Sequence, residues 1–289
     1  MADISAELRN LIRESRSLPT IPGIITKLSA LEANPKSTSQ EIARLISSDQ
    51  ILSAKVLRLV NSPFYGFPRR VSTVSNALIL LGISVIKSLI ISSSIFEMME
   101  KTIIGLWEHS LATAAAANLI ASRLELADKE EISTAALLHD IGKVVIKIQL
   151  KDDYERLLTA CEEKQLLSFE AERMELGTDH AEVGKWLAES WFLPKKLIEP
   201  IAFHHDVEKS VTYRTSTAVV HFADILIRAR GFGNNREGGE LVPQVHPLAV
   251  SILHLDTIGI DSLIAELDEL LVEVKNFSMD IQEQQKDHV

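Results

Sequence analysis

The sequence predicts an all-α fold, and three observations carry the prediction. Apolar residues recur at helical rather than alternating spacing in segment after segment. Hydrophobic residues make up 46% of the chain but aromatics only 5%, so the interior must be built from Leu, Ile, Val and Ala, a mixture suited to packed helices. Helix-start and helix-stop signals bracket several of these segments. At 289 residues the chain is long enough for one large or two modest domains with a sizeable core.

Taken in order, residues 38–48 open with Thr38-Ser39-Gln40-Glu41, a capping-box arrangement, followed by Ile42, Leu45 and Ile46 on one helical face. A second helix starts near Asp49 and places Leu52, Val56, Leu59 and Val60 at helical spacing. It stops at Asn61-Ser62-Pro63, because proline disfavours helix in the residue before it. An aromatic loop with Phe64, Tyr65 and Phe67 follows. Val74, Ala77, Leu78 and Leu81 mark a further helix ending at Gly82, and residues 83–99 another. Beyond them come an Ala-rich helix over 106–124 and helices over 130–138, 154–163, 168–176, 180–191 and 195–204. Residues 230–240, with Gly231, Gly233, Gly238 and Gly239, predict a mobile loop. The last helix is expected over 261–274, with a frayed tail after Phe277.

Thirty Lys and Arg against 40 Asp and Glu give a formal charge of −10, so no general electrostatic attraction draws the chain onto nucleic acid. One cysteine, Cys161, cannot form an internal disulfide and fits a reducing compartment. Met1-Ala2-Asp3-Ile4 lacks the basic start and apolar run of a secretory signal. The apolar stretch over 77–99 holds Lys87, Ser84, Ser88, Ser92, Ser93 and Ser94, which favours a buried helix pair over a membrane span. A cytoplasmic protein is expected, with no membrane and no nucleic acid as partner.

Chemistry concentrates in the histidines, seven of which lie between residues 109 and 246. At the centre, Ala136-Leu137-Leu138-His139-Asp140-Ile141-Gly142-Lys143 places an imidazole and a carboxylate side by side at the end of an apolar run. Neighbours on a helix point about 100° apart, so the two can face one ion only near a helix end or distortion, which Gly142 offers. His109, His180 and the pair His204-His205 occur in similar polar-in-apolar contexts, while His221 and Asp224 share one helical face. Imidazole and carboxylate donors suit Zn, Mn or Fe, and the absence of paired cysteines excludes a Cys-type structural zinc site.

The order His109, His139-Asp140, His180, His204-His205, Asp224 is similar to the ligand order of the HD-superfamily metal phosphohydrolases, particularly the HD-GYP cyclic dinucleotide phosphodiesterases. The segment Asp49-Gln50-Ile51-Leu52-Ser53-Ala54-Lys55-Val56-Leu57-Arg58-Leu59-Val60-Asn61-Ser62, followed by Ala77-Leu78-Ile79-Leu80-Leu81-Gly82, resembles the HDOD (HD-related output domain) family. Together the similarities cover roughly residues 15–225. They imply a multi-helix HD-superfamily-like bundle, with an N-terminal helical lobe over 1–100 and an HD-like helical domain over 101–289. By the resemblance, Asp140 would bridge two ions. His109, His139 and Asp224 would complete one, and His180, His204 and His205 the other. Lys143 would contact a phosphate or another anion. The Gly-Tyr-Pro substrate loop of the phosphodiesterases is missing, and His204-His205 runs instead into Asp206-Val207-Glu208-Lys209, so cyclic dinucleotide hydrolysis is not expected.

HDOD domains act as output or scaffold modules in bacterial signalling. The resemblance therefore implies a signal-transduction module with a His/Asp pocket for one or two divalent ions (Fe, Mn or Zn), working through signalling proteins as partners. The alternative is a metal-dependent phosphohydrolase acting on a nucleotide or phosphodiester, with Asp140 and Lys143 as catalytic residues.

Each residue also has a plainer reading. A lone imidazole on an apolar helix is more often a satisfied core residue than a ligand, which is the expectation for His221 and His254. Asp224 could orient an imidazole rather than bind an ion. Phe64, Tyr65 and Phe67 beside Arg69 and Arg70 are expected to pack rather than to stack on bases. The helix pair over 38–60 carries only Lys55 and Arg58 on its second helix, too few basic groups for DNA reading.

Overall fold

The computed structural model describes residues 4–14, 23–34, 37–232, 241–255 and 259–286, and every regular element among them is helical. The N-terminal third contains α1 (Ile4–Glu14), α2 (Gly23–Ala33), α3 (Ser39–Ser47), α4 (Gln50–Val60) and α5 (Val74–Thr102). Its caps are those the sequence predicts. Thr38 Oγ1 accepts the Glu41 N–H while the Glu41 carboxylate accepts the Thr38 N–H. Asp49 caps α4 by accepting the Leu52 N–H. Asn61 ends α4 and clips the following loop shut, its amide exchanging two hydrogen bonds with the Val71 backbone at 2.7 and 2.9 Å.

The aromatic loop packs inward, as expected: Phe64 and Tyr65 are buried, and the Tyr65 hydroxyl lies 2.9 Å from Thr134 Oγ1. Gly82 separates two helical arms, as the sequence predicts. It bends α5 through a non-helical residue with φ 75° and ψ 166°, a region that excludes side chains. The segment Val74–Ser93 is long and apolar enough to cross a membrane, yet 61% of it is buried inside the molecule, in keeping with the buried helix pair.

The remainder holds α6 (Leu106–Arg123), α7 (Lys129–Leu138), α8 (Ile141–Gln149), α9 (Lys151–Lys164), α10 (Ser168–Leu176), α11 (His180–Ser190), α12 (Lys195–Phe203), a short 3₁₀ turn (Val207–Lys209), α13 (Arg214–Ala229), α14 (Pro247–Ile252) and α15 (Ile260–Lys286). At its centre α6 packs on α7 and α13, and α12 packs on α7, α11 and α13. The buried face of α6 is lined by Ala112, Ala114, Ala115, Ala116 and Ala117, small side chains that let its neighbours approach closely. The N-terminal helices join this bundle through α5, which contacts α6, α7 and α8, while α1 reaches α11.

Three expectations need correction. The tail after Phe277 is not frayed: α15 runs unbroken to Lys286, because Asp280 to Lys286 are mostly good helix formers. The helices α1, α2, α8 and α14 were not anticipated. Gly142 is not the helix end beside the His-Asp pair; the break falls earlier, at His139-Asp140, and Gly142 lies within α8. Most of the loop expected over 230–240 lies outside the described residues.

Candidate metal centre

The His139-Asp140 pair occupies the junction between two helices. His139 closes α7 with helical angles, Asp140 leaves the helix at φ −95° and ψ 9°, and α8 begins at Ile141. That distortion turns both side chains toward one point, with Asp140 Oδ2 3.4 Å from His139 Nε2. Directly afterwards, Gly142 touches α11. A Cβ placed there would sit 2.0 Å from the His180 carbonyl oxygen, so only glycine allows the two backbones this approach. The contact brings His180, first residue of α11, to Asp140, with Nε2 3.0 Å from Oδ1.

Two further elements complete the centre. From α6, His109 Nε2 lies 3.0 Å from Asp224 Oδ1 on α13 and 3.7 Å from Asp140 Oδ2. From the end of α12, His204 points Nε2 toward Asp140 Oδ1 at 3.9 Å, and His205 Nε2 approaches His180 Nε2 at 2.8 Å. The structure therefore brings together His109, His139, Asp140, His180, His204, His205 and Asp224. Their donor atoms fall into compact groups: His109, His139 and Asp224; His180, His204 and His205; and His139, Asp140 and His204. All are buried except His205, which is half-buried. Lys143, also buried, sets its ammonium 2.8 Å from Asp140 Oδ2.

The imidazoles are oriented from behind. The Nδ1–H of His109 donates to the Phe232 carbonyl, that of His139 to the Ala136 carbonyl, and that of His204 to the Ile201 carbonyl, at 3.1, 2.6 and 2.8 Å. A carbonyl can only accept, so Nδ1 carries the proton and each Nε2 is left facing the centre, the tautomer an ion requires. For His180 the same task falls to Glu172, whose Oε2 accepts the Nδ1–H at 2.7 Å and the His180 backbone N–H at 2.7 Å. Sequence reasoning missed Glu172, and no local pattern marks it. Arg228, 3.1 Å from Asp224 Oδ1, was missed as well, although its spacing of four from Asp224 on one helix is a readable signal.

His221 stands apart from the centre. Its Nδ1–H donates to the His204 carbonyl at 2.6 Å and its Nε2 accepts the His246 N–H at 2.9 Å, so both ring nitrogens are used and the core-residue reading holds.

Electrostatics follow from packing seven such groups together. Burial alone would raise the Asp140 carboxyl, but His139, Lys143 and His180 hold it well below the usual range. Asp224 is likewise held down despite burial, by Arg228, His109 and His139. Burial disfavours the His139 and His180 cations, yet the carboxylates around them prevail and raise the two to about 9 and about 10. His204 is pushed down to about 3 by burial and by the neighbouring His139 and His180.

Oxygen and nitrogen donors of this kind fit a divalent transition-metal ion. The fit is supported by the buried Asp140 carboxylate and His204 Nε2: the latter has no hydrogen-bond partner, and the former is met at 2.8 and 3.0 Å by the Lys143 ammonium and His180 Nε2, positively charged or metal-seeking groups gathered around one carboxylate. Buried polar atoms are otherwise nearly always paired.

Comparison with known proteins agrees with this architecture. A crystal structure of an HDOD domain protein of unknown function from Geobacter sulfurreducens is 31% identical, with a TM-score of 0.69 over 94% of this chain and 97% of that one. A proposed phosphohydrolase from Shewanella amazonensis SB2B (24% identical, TM-score 0.66, covering 94% and 98%) and a proposed signal transduction protein from Marinobacter aquaeolei VT8 (19%, 0.68, 96% and 65%) share the fold. A curated relative, an uncharacterized protein of Treponema pallidum, is 26% identical over 216 residues, which are 73% of this chain but only 42% of the relative, so the chain spans less than half of that protein. The HDOD domain matches residues 18–207, and the chain belongs to the HDOD family.

Proposed function

We propose that this chain is a cytoplasmic signal-transduction module whose buried His/Asp centre binds two divalent ions and which acts through partner proteins. The observation that carries the reading is the buried Asp140 carboxylate, close to the Nε2 atoms of His109, His139, His180 and His204, with the Nδ1 of each ring anchored from behind. In the proposed arrangement, His109, His139 and Asp224 would hold one ion and His180, His204 and His205 the other, with Asp140 between the two groups and available to both. The order of these residues along the chain resembles the ligand order of HD-superfamily metal phosphohydrolases. Ile51, Ile79 and Leu80 on α4 and α5 are exposed apolar side chains of the N-terminal helices, where a partner protein would bind in this reading.

The alternative, phosphoester hydrolysis, draws on the same donor set and on the Shewanella protein described as a proposed phosphohydrolase. Bound ions would supply a Lewis acid and an activated water for attack on a phosphoryl group. Two features favour the regulatory module. The centre is enclosed apart from His205, and the Lys143 ammonium, expected to meet a phosphate, is turned onto Asp140.

Metal analysis of the purified protein, followed by a screen of nucleotides and model phosphodiesters with Asp140→Ala as control, tests both readings. Bound metal without turnover supports the module. Turnover lost in Asp140→Ala replaces it with the hydrolase. A chain that takes up no divalent ion after chelation and reloading overturns both.

A further inference from the structure

The supports behind the ligands divide unevenly. His109, His139 and His204 hang from backbone carbonyls. His180 and His205 are held by side chains, and those side chains come from one helix, α10. Phe169, Glu172 and Arg173 are spaced i, i+3, i+4 and so share one face of it.

Each of the three has a distinct contact. Glu172 is buried and ties down both the backbone and the ring of His180. The Phe169 ring stacks on His205 with centroids 4.2 Å apart and planes at 19°. The Arg173 guanidinium lies 5.0 Å from the Phe169 ring centre, and it bridges Asp179 and Asp206, each at 2.6 Å. Asp179 precedes His180 and caps α11 through the Glu182 N–H; Asp206 follows His205. One helical face thus grips both His180 and His205 and the residue flanking each.

We propose that α10 is a positioning element for one half of the centre: Phe169, Glu172 and Arg173 hold His180 and His205 in place for one ion, while the group of His109, His139 and Asp224 is assembled without it. The inference rests on the two-ion reading above. His109 and His139 are fixed by the carbonyls of Phe232 and Ala136, and Asp224 by Arg228 on its own helix, so that half does not depend on where α10 sits. Outer partners of this kind typically contribute 10- to 100-fold in ion affinity, roughly.

The test is a titration of the chelator-stripped full chain with Mn(II), reading bound metal by equilibrium dialysis and free Mn(II) by electron paramagnetic resonance. Wild type is expected to bind two ions. Glu172→Gln and Arg173→Ala should each keep one site at wild-type affinity and weaken the other about 10- to 100-fold, whereas Asp224→Ala should weaken the opposite site. A merely structural effect would lower both sites together, which overturns the proposal, as would two unchanged sites in both variants. Arg173 is 37% exposed, so Arg173→Ala remains informative if Glu172→Gln fails to fold, as circular dichroism would show. A wild type binding a single ion removes the division into halves, and with it this proposal. A wild type binding none overturns the metal-centre reading itself, before any variant is compared.

Discussion

His204 and His221 show how differently two buried imidazoles can be spent. Both belong to the same stretch of packing, and the ring of His221 donates to the backbone carbonyl of His204. Yet His221 has partners on both nitrogens, whereas His204 Nε2 has none. Replacing His221 by Ala should therefore cost about 1–3 kcal/mol, the cost of stranding the His204 carbonyl and the His246 N–H, and leave the number of bound ions unchanged. Urea unfolding together with metal analysis reads both. Tyr65→Phe should cost about 1 kcal/mol, because Thr134 keeps a second partner in the Glu130 carbonyl; a loss near zero in urea unfolding would mean the buried hydroxyl contributes nothing. The candidate ligands were legible because His139-Asp140 and the surrounding histidines are rare residue types in apolar runs. Glu172 was not: it is one of three glutamates in α10, eight residues from His180, and only the packing of α10 against α11 gives it a role.

At the level of elements, two joints decide the arrangement. Where α8 meets α11, Gly142→Ala would drive a methyl into the His180 carbonyl, and either helix must move. The expected loss is about 3 kcal/mol or more, accompanied by weaker ion binding, since both Asp140 and His180 stand beside the contact. In the loop after α4, Asn61→Ala removes two hydrogen bonds to the Val71 backbone and should cost about 2 kcal/mol in chemical denaturation, with the ion count intact. Helices with strong caps, such as α3 and α4, could be read directly because the capping side chains are local to their ends. The six-residue α14 leaves too short a run for periodicity, and the polar end of α15 has no apolar stripe to read, so both depend on the molecule around them.

For the molecule as a whole, the metal-free centre couples stability to pH. His139 and His180 are raised to about 9 and about 10 from an ordinary 6.5, so their contribution is fully present below about pH 6.5 and is lost as pH rises toward 10. Asp140 and Asp224 are held low, so their contribution is present above the ordinary carboxylate range and is lost as pH falls below it. The chelated protein should accordingly lose thermal stability between pH 6.5 and 10, and the loaded protein should lose less, because binding to the native state adds stability; melting curves with and without metal decide. The all-helical class was legible from composition and periodicity, but the route by which the first hundred residues join the bundle was not, because it depends on long-range packing of α5 on α6, α7 and α8, even though the sequence marked the break at Gly82. There the apolar run is cut into arms of about 12 and 16 Å at 1.5 Å per residue, neither of which matches the roughly 30 Å of a bilayer's hydrocarbon layer. A straight rod of that composition would be greasy enough to leave water for lipid; folded at its corner, it becomes the hinge-post to which both parts of the protein are fastened.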